Sequence, residues 1–183
     1  GKREQIDSFP IASTKIQELM HQLLGQINAC KALSEKLFQV EFQTSRNQDS
    51  MISLIYHRKL DGSWENAARN LNKKLQATII GRSRKQKLSY GNDYVIETYK
   101  SFKSKYSLRL YEQCFSQTNP EICEKMLSWV EKNLIFSDDD VVELHCGLGT
   151  FTMLLSKIFR KVLATENSRP SFAGLKENLR LNK

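Results

Sequence analysis

The sequence predicts an α/β protein in two parts, an α+β unit followed by the first half of a parallel sheet covered by helices. One amphipathic helix and several short alternating segments fill the chain up to about residue 112. From Asn119 the order changes to helix, strand, helix, strand, helix, which is typical of βαβ units. A glycine turn lies between the two strands of that second part. We therefore expect domains at 1–112 and 113–183.

The first part begins with a helix over 11–27, where apolar residues recur three and four apart and Ser13 or Thr14 can serve as the N-cap. The alternating segments 37–43 and 50–56 flank a polar linker and predict an antiparallel hairpin. A turn at 60–62 precedes the elements that complete the first part. These are a helix over 64–75, a strand over 77–81, and two or three strands up to Arg109 joined at Gly91-Asn92.

The second part is predicted as helix 122–134, strand 141–145, helix 151–158, strand 161–165 and helix 168–181. Only two sheet strands are present, whereas a doubly wound cofactor domain usually has at least about five. We therefore expect an incomplete sheet with an exposed strand edge and apolar face, through which the chain would self-associate.

The turn between those strands is the main candidate site. An apolar run from Val141 leads into Gly147 and Gly149, which can supply a sharp turn and bare backbone for a cofactor. A phosphate cradle is not indicated, because Thr152 stands where a third glycine would be. Glu166 closes the second strand, where a carboxylate can accept hydrogen bonds from ribose hydroxyls. S-adenosylmethionine fits this pattern best; the alternative is a helix-capping turn in an α/β core.

The composition of the chain limits the class of protein to which it can belong. With 40% hydrophobic and 26% charged residues among 183, the chain has the composition of a globular protein. We expect neither a membrane span nor a leader. The four cysteines show neither metal-site spacing nor a disulfide framework. We expect a cytoplasmic protein without a metal.

The net charge of +8 is concentrated in one stretch. Residues 82–109 carry +6, against +3 before and −1 after them. Phe102, Tyr106 and Tyr90 interleave with these cations, as expected where RNA phosphates and bases are bound. The alternative is a solvated hairpin. The candidate RNA-binding residues are Arg82, Arg84, Lys85, Lys87, Lys103 and Lys105.

Short motifs are spread along nearly the whole chain. They are Asp7-Ser-Phe-Pro-Ile-Ala-Ser13, Leu37-Phe-Gln39, Leu54-Ile-Tyr-His-Arg-Lys-Leu-Asp61, Ile80-Gly-Arg82, Phe115-Ser-Gln-Thr-Asn119, Met126-Leu-Ser-Trp129, Glu143-Leu-His-Cys-Gly-Leu-Gly149 and Val162-Leu-Ala-Thr-Glu166. Together they resemble the S-adenosylmethionine-dependent tRNA (uracil-5-)-methyltransferase family, and related ribosomal-RNA enzymes are the nearest alternative. The family has a Rossmann-like methyltransferase domain, and the resemblance implies formation of 5-methyluridine in the T-loop of tRNA.

The resemblance also implies roles for single residues. Gln117 matches the glutamine that contacts the methionine end of the cofactor, and Glu166 matches the ribose-binding acid. His145 stands where an aromatic residue often packs beside the cofactor, and Thr150 where some members have asparagine. Cys146 matches a small packing residue.

The catalytic half of the family pattern is missing. In such enzymes a cysteine of a Ser-Cys-Asn-Pro segment attacks C6 of uracil, C5 takes the methyl group, and a base removes the C5 proton. Neither that segment nor the family's Asp-Pro-Pro occurs here. We expect a truncated member that is inactive alone, with no catalytic residue in this chain. The alternative is a stand-alone RNA-binding module or pseudoenzyme; a methyltransferase for protein or small molecules is disfavoured.

Overall fold

The computed structural model describes residues 8–135 and 137–183. The chain divides into two compact units, Gly1–Val95 and Ile96–Lys183. This boundary lies earlier than the domain boundary predicted after residue 112. The reason is that the backbone of residues 107 and 109 bonds to the last helix: Asn182 and Asn178 each accept from and donate to these backbone groups.

The first unit contains a four-stranded sheet and three helices within its described residues. The strands follow the order β1-β2-β3-β4, in which only β2 and β3 are parallel. In chain order the elements are α1 (Thr14–Ala29), α2 (Lys31–Ser34), β1 (Leu37–Thr44), β2 (Ser50–Tyr56), α3 (Gly62–Leu75), β3 (Thr78–Ser83) and β4 (Gln86–Tyr90).

The predicted helices and hairpin of this unit are confirmed, because their signals are local. Ser13 caps α1 by accepting from the Ile16 N–H at 3.2 Å, and Asp61 caps α3 by accepting from the Trp64 N–H at 3.0 Å. β1 and β2 pair antiparallel on either side of the polar linker. Since α3 connects two parallel strands, it also serves as their crossover.

The core of the first unit lies between α1, α3 and the sheet. Trp64 is fully buried there, and Gly81 on β3 makes room for its indole: a Cβ at Gly81 would lie 2.2 Å from Trp64 Cη2. The glycine of the Ile80-Gly-Arg82 motif is thus required by packing. The indole therefore fixes the distance between α3 and the sheet.

The second unit takes in most of β5 (Tyr94–Lys100), because the boundary falls within that strand. Two strand pairs form its sheets, β5 with β6 and β7 with β8. The remaining elements are β6 (Lys105–Tyr111), α4 (Pro120–Asn133), β7 (Ser137–Glu143), α5 (Thr152–Leu155), β8 (Phe159–Ala164) and α6 (Arg169–Leu181). β7 and β8 are parallel, as predicted.

Two predicted elements of this unit differ from the structure. The strand expected over 141–145 ends at Glu143, and the helix expected over 151–158 is the four-residue α5. Beyond α5, the N–H groups of Lys157 and Ile158 donate to carbonyls three residues earlier, which tightens the chain into a turn. Ile158 is thereby buried just before β8 begins.

The β7-β8 pair exposes apolar side chains on one face. Val142 and Leu163 are register partners, and both are exposed. Leu144, just after β7, is exposed as well. Within the described part of the chain, no helix is long and apolar enough to cross a membrane, and no three metal-binding side chains cluster.

Candidate functional site

The glycine turn follows β7, at the carboxyl edge that β7 shares with β8. The Thr165 N–H donates to the Glu143 carbonyl at 2.8 Å, and the Cys146 N–H donates to the Thr165 carbonyl at 3.0 Å. These bonds extend the parallel pairing past the end of both strands. The turn is therefore held at the sheet edge where ligands bind in open α/β sheets.

The two glycines of the turn have different roles. Both have positive φ, 57° at Gly147 and 93° at Gly149. A Cβ on Gly149 would lie 2.6 Å from Leu175 Cδ1, so this glycine lets α6 pack against the turn. A Cβ on Gly147, in contrast, would have no atom within 4 Å among the described residues other than its chain neighbours. Gly147 therefore presents bare backbone to open space.

Glu166 is joined directly to Gly147. One carboxylate oxygen accepts from the Gly147 N–H at 2.9 Å and the other accepts from the Ser168 N–H at 2.7 Å. The hydrogen bond from Ser168, with further bonds from Gly147 and Asn167, lowers the pKa of Glu166 below its usual value. Because each oxygen has a second lone pair, the carboxylate can still accept ligand hydroxyls.

Glu143 is a second carboxylate at the turn. No role was predicted for it from the sequence. It accepts a hydrogen bond from the Thr152 hydroxyl at 2.6 Å, which ties the end of β7 to the start of α5. Burial raises the pKa of Glu143. Its place at the start of the matched Glu143-Leu-His-Cys motif was the available signal.

Asn178 was also missed, since an asparagine inside a helix carries no sequence signal. It is fully buried, and its side chain donates to the Leu148 carbonyl at 2.9 Å and to the Arg109 carbonyl at 3.2 Å. It also accepts from the Arg109 N–H at 2.8 Å. One side chain on α6 thus links β6 to the glycine turn.

Of the other three proposed cofactor residues, two lie in the turn and one lies in a different loop. His145 is exposed and has φ of 56°, because the strand ends before it. Thr150 lies in the turn, where its carbonyl accepts from the Tyr106 hydroxyl at 2.7 Å. Gln117 is half-buried in the loop before α4. The structure thus joins Gly147 and Glu166 by a direct hydrogen bond and places His145 and Thr150 next to them in the turn.

Cys146 has the properties of a packing residue. Its side chain is buried, and burial, followed by the charges of Glu143 and Glu166, raises the pKa of the thiol. A raised pKa keeps the thiol protonated, and the thiolate is the nucleophilic form. The environment of Cys146 therefore does not favour nucleophilic catalysis.

The candidate RNA-binding residues divide between the two units. Arg82, Arg84, Lys85 and Lys87 belong to the β3-β4 hairpin of the first unit, whereas Lys103 and Lys105 belong to the second. Arg84 and Lys85 are exposed at the tip of the hairpin. Lys87 forms an ion pair with Asp93 at 2.7 Å.

Arg84 and Lys85 line a hollow of about 660 Å³ together with residues 56–59. Arg58 forms a fixed part of its wall, because its guanidinium donates to the carbonyls of Ala32, Glu35 and Lys59. Lys59 is exposed. The hollow therefore combines a rigid positive charge with cations on exposed side chains.

An exposed pair of stacked aromatic rings adjoins this hollow. The rings of Phe38 and His57 lie 4.3 Å apart between centroids, at an angle of 18°, and Phe38 is 63% exposed. The β1-β2 register shifts at Phe38, and such a bulge can turn a side chain outward. His57 lines the hollow itself. Both residues lie in matched motifs, but no role was predicted for either of them from the sequence.

Comparison with known proteins gives concordant results. The family model for tRNA (Uracil-5-)-methyltransferase matches residues 1–183. The tRNA/tmRNA (uracil-C(5))-methyltransferases of Acinetobacter baylyi, Cellvibrio japonicus and Ectopseudomonas mendocina are 41%, 44% and 46% identical over 100%, 97% and 95% of the chain. The chain spans about half the length of these curated relatives, 51%, 48% and 48%.

Among solved structures, the chain is similar to the Pyrococcus abyssi tRNA (uracil-54, C5)-methyltransferase in complex with S-adenosyl-L-homocysteine. The TM-score is 0.73 at 14% identity, over 99% of this chain and 47% of that one. This likeness confirms the predicted α/β fold. With the family match over every residue, it leads to one conclusion: the chain belongs to the tRNA (uracil-5-)-methyltransferase family.

Proposed function

We propose that this chain is the cofactor-binding and RNA-recognising part of an S-adenosylmethionine-dependent methyltransferase that forms 5-methyluridine in the T-loop of tRNA. The observation that carries the proposal is the hydrogen bond between the Gly147 N–H and Glu166 at a parallel strand edge. The names of the relatives and the ligand of the Pyrococcus abyssi structure support the choice of substrate and cofactor.

The turn fits this cofactor. Open space at Gly147 gives a ligand access to the backbone, and the ionised Glu166 has lone pairs left for ribose hydroxyls. We assign Gln117, His145 and Thr150 to the remaining cofactor contacts. When bound, S-adenosylmethionine supplies the methyl group that is transferred. The residues of this chain hold and orient it.

Calorimetric titration of the purified chain with S-adenosylhomocysteine tests this proposal. We expect saturable binding at one site. Absence of binding to a folded chain would contradict it, and tRNA binding alone would favour the RNA-binding module or pseudoenzyme. We propose that methyl transfer itself needs a nucleophile and base from outside these 183 residues. They contain neither the family's Ser-Cys-Asn-Pro nor its Asp-Pro-Pro segment, and the Cys146 thiol beside the turn is buried with a raised pKa. As a tRNA-modifying protein it would work in the cytoplasm.

On the RNA side, we propose that the Phe38-His57 pair stacks on unpaired bases while the cations of the neighbouring hollow hold phosphates. Aromatic stacking beside a positively charged groove is the usual arrangement for binding single-stranded RNA. We further assign Arg82, Lys87, Lys103 and Lys105 to phosphate contacts. The cations of the hollow that would hold phosphates are Lys59, Arg84 and Lys85.

The double variant Arg84→Gln/Lys85→Gln is expected to weaken tRNA binding and to flatten its salt dependence. Each lost phosphate contact lowers the slope of log affinity against log salt by about 0.7 to 0.9. Binding isotherms at several salt concentrations measure this slope. Lys31→Gln/Lys73→Gln removes the same charge from exposed helix positions and serves as the control. Equal effects in both variants would show that only net charge matters.

We also propose that the exposed face of the β7-β8 pair mediates self-association of the isolated chain. Val142, Leu144 and Leu163 expose apolar surface there. Sedimentation velocity should show a concentration-dependent dimer, and Val142→Thr/Leu163→Thr should shift it to monomer. A wild-type chain that remains monomeric at high concentration would refute this.

A further inference from the structure

Exposed aromatic residues and lysines also occur together in the second unit, on α4 and the loop between β5 and β6. Trp129 is 67% exposed and Phe102 is 60% exposed. A hollow of about 470 Å³ lies beside them, lined in part by Lys100, Lys125, Trp129 and Lys132. We call Phe102, Trp129 and these lysines, with Lys103, the α4 patch.

Helix geometry aligns the α4 members of this patch. Lys125, Trp129 and Lys132 are spaced four and three residues apart, so they lie on one face of α4. The Lys132 Nζ lies 4.9 Å from the ring centroid of Phe102, and the Lys103 Nζ lies 5.8 Å from it. Two of the cations thus lie next to the Phe102 ring.

Three carboxylates lie near these lysines, since Glu121 and Glu124 line the hollow and Glu131 lies beside Lys103. Two of them also hold the loop in place. Glu131 accepts from the Lys103 N–H and the Ser104 hydroxyl, each at 2.7 Å. Glu124 accepts from the Lys100 N–H at 2.8 Å. The loop that carries Phe102 is therefore fixed to α4, and the lysine ammonium groups of the patch extend from a rigid support.

We propose that the α4 patch binds an unpaired stretch of RNA, with a base stacked on Trp129 and phosphates held by Lys125, Lys132 and Lys103. An exposed indole can stack on any base, and lysines on both sides along the helix match the charge of a strand backbone. The four lysines of the patch exceed the three nearby glutamates by one charge, and this excess favours RNA over an apolar protein partner. This inference rests on the proposed RNA function and adds a binding surface to it.

Trp129 makes the proposal directly measurable. The chain has two tryptophans, and Trp64 is fully buried, so an oligonucleotide stacked on the exposed indole would quench mainly Trp129. The full chain is titrated with an oligouridine of about twelve nucleotides, a length that covers one single-strand site. We expect quenching, and an affinity for the labelled oligonucleotide that falls about fivefold to a hundredfold in Trp129→Ala.

Two further variants separate stacking from folding. Trp129→Phe keeps a ring and should retain most of the affinity while losing the quenching. Phe172→Ala removes another exposed ring that lies under a lysine, Lys176 at 4.5 Å, and should bind as the wild type does. Circular dichroism confirms that each variant is folded.

Several results would overturn the inference. These are no binding of oligouridine by the wild type, equal losses in Trp129→Ala and Phe172→Ala, or a change in self-association with unchanged oligouridine binding, which would indicate a protein partner. S-adenosylhomocysteine titrations of the same proteins keep the two proposals apart. The cofactor proposal fails on the S-adenosylhomocysteine result alone. Absence of oligouridine binding by the wild type would contradict the Phe38-His57 proposal as well, whereas an affinity that stays unchanged in Trp129→Ala would contradict the α4 patch alone.

Discussion

Gly147→Asn is expected to abolish detectable binding of S-adenosylhomocysteine while changing the thermal unfolding temperature little. Gly147 has φ of 57°, and asparagine tolerates this left-handed conformation better than other side chains do. A Cβ at this position would have no atom within 4 Å among the described residues other than its chain neighbours, so the folded chain has room for the side chain. A cofactor lying against the turn would need that same space. Calorimetry and a thermal melt measure the two effects.

A second variant of Gly147 separates the effect of filling the cofactor's space from the effect of backbone strain at positive φ. Gly147→Val adds a β-branched side chain at positive φ, so it should lower the unfolding temperature as well as remove cofactor binding. Both variants should keep wild-type tRNA affinity, because the proposed RNA residues lie elsewhere. Gly25→Ala, which also adds a Cβ in open space, is the control for binding and should leave both affinities unchanged. Because Gly25 lies inside α1, where alanine is favoured over glycine, the unfolding temperature of this control should rise slightly. Wild-type cofactor affinity in Gly147→Asn would exclude a ligand at this backbone.

Glu166→Gln is expected to weaken S-adenosylhomocysteine binding by roughly tenfold or more, since hydrogen bonds to a charged group contribute more than neutral ones. The amide that this substitution introduces would have only one oxygen, whereas Glu166 uses both of its oxygens to accept from Gly147 and Ser168. The NH₂ group of the amide would face one of those donors. The variant would therefore lose one of the two hydrogen bonds that hold the turn, in addition to the negative charge. Glu121→Gln, at an exposed position at the start of α4, is the control.

The pH dependence of cofactor affinity follows from the direction in which the pKa of Glu166 is shifted. Hydrogen bonds from Ser168 and Gly147 lower the pKa of Glu166, so its carboxylate is ionised throughout the neutral range. For an acid whose pKa is lowered in the folded state, the stabilising contribution is complete above the unfolded pKa of about 4.3 and is lost as the pH falls through the folded value. Cofactor affinity should therefore be flat from neutral pH down to about pH 5. A loss centred near neutral pH would implicate another group.

Local signals predicted much of the fold. α1 follows from apolar spacing and a serine cap, α6 follows from the alternation of helices and strands, and the β1-β2 hairpin follows from alternation around a polar linker. Gly147 and Glu166 were predicted as cofactor residues from the strand-turn-helix pattern and the acid at the end of the next strand. The hydrogen bond between them was not predicted and comes from the structure.

Features that depend on distant contacts were not predictable. The basic stretch 82–109 was expected as consecutive strands, but β4 and β5 belong to different sheets. The predicted helix after the glycine turn stops at Leu155 because the chain must bury Ile158 and begin β8. The stacking of Phe38 on His57 depends on a bulge in the register, which alternation alone does not reveal.

Asn178 has a consequence for the order in which the second unit folds. Its bonds reach 30 residues back to Leu148 and 69 residues back to Arg109. Contacts between such distant segments carry a loop-closure cost before they stabilise anything, so they form late. The glycine turn thus reaches its final geometry only when α6 docks. A polypeptide emerging from the ribosome would hold the turn sequence well before it held a finished turn, and cofactor affinity would report the completion of the unit.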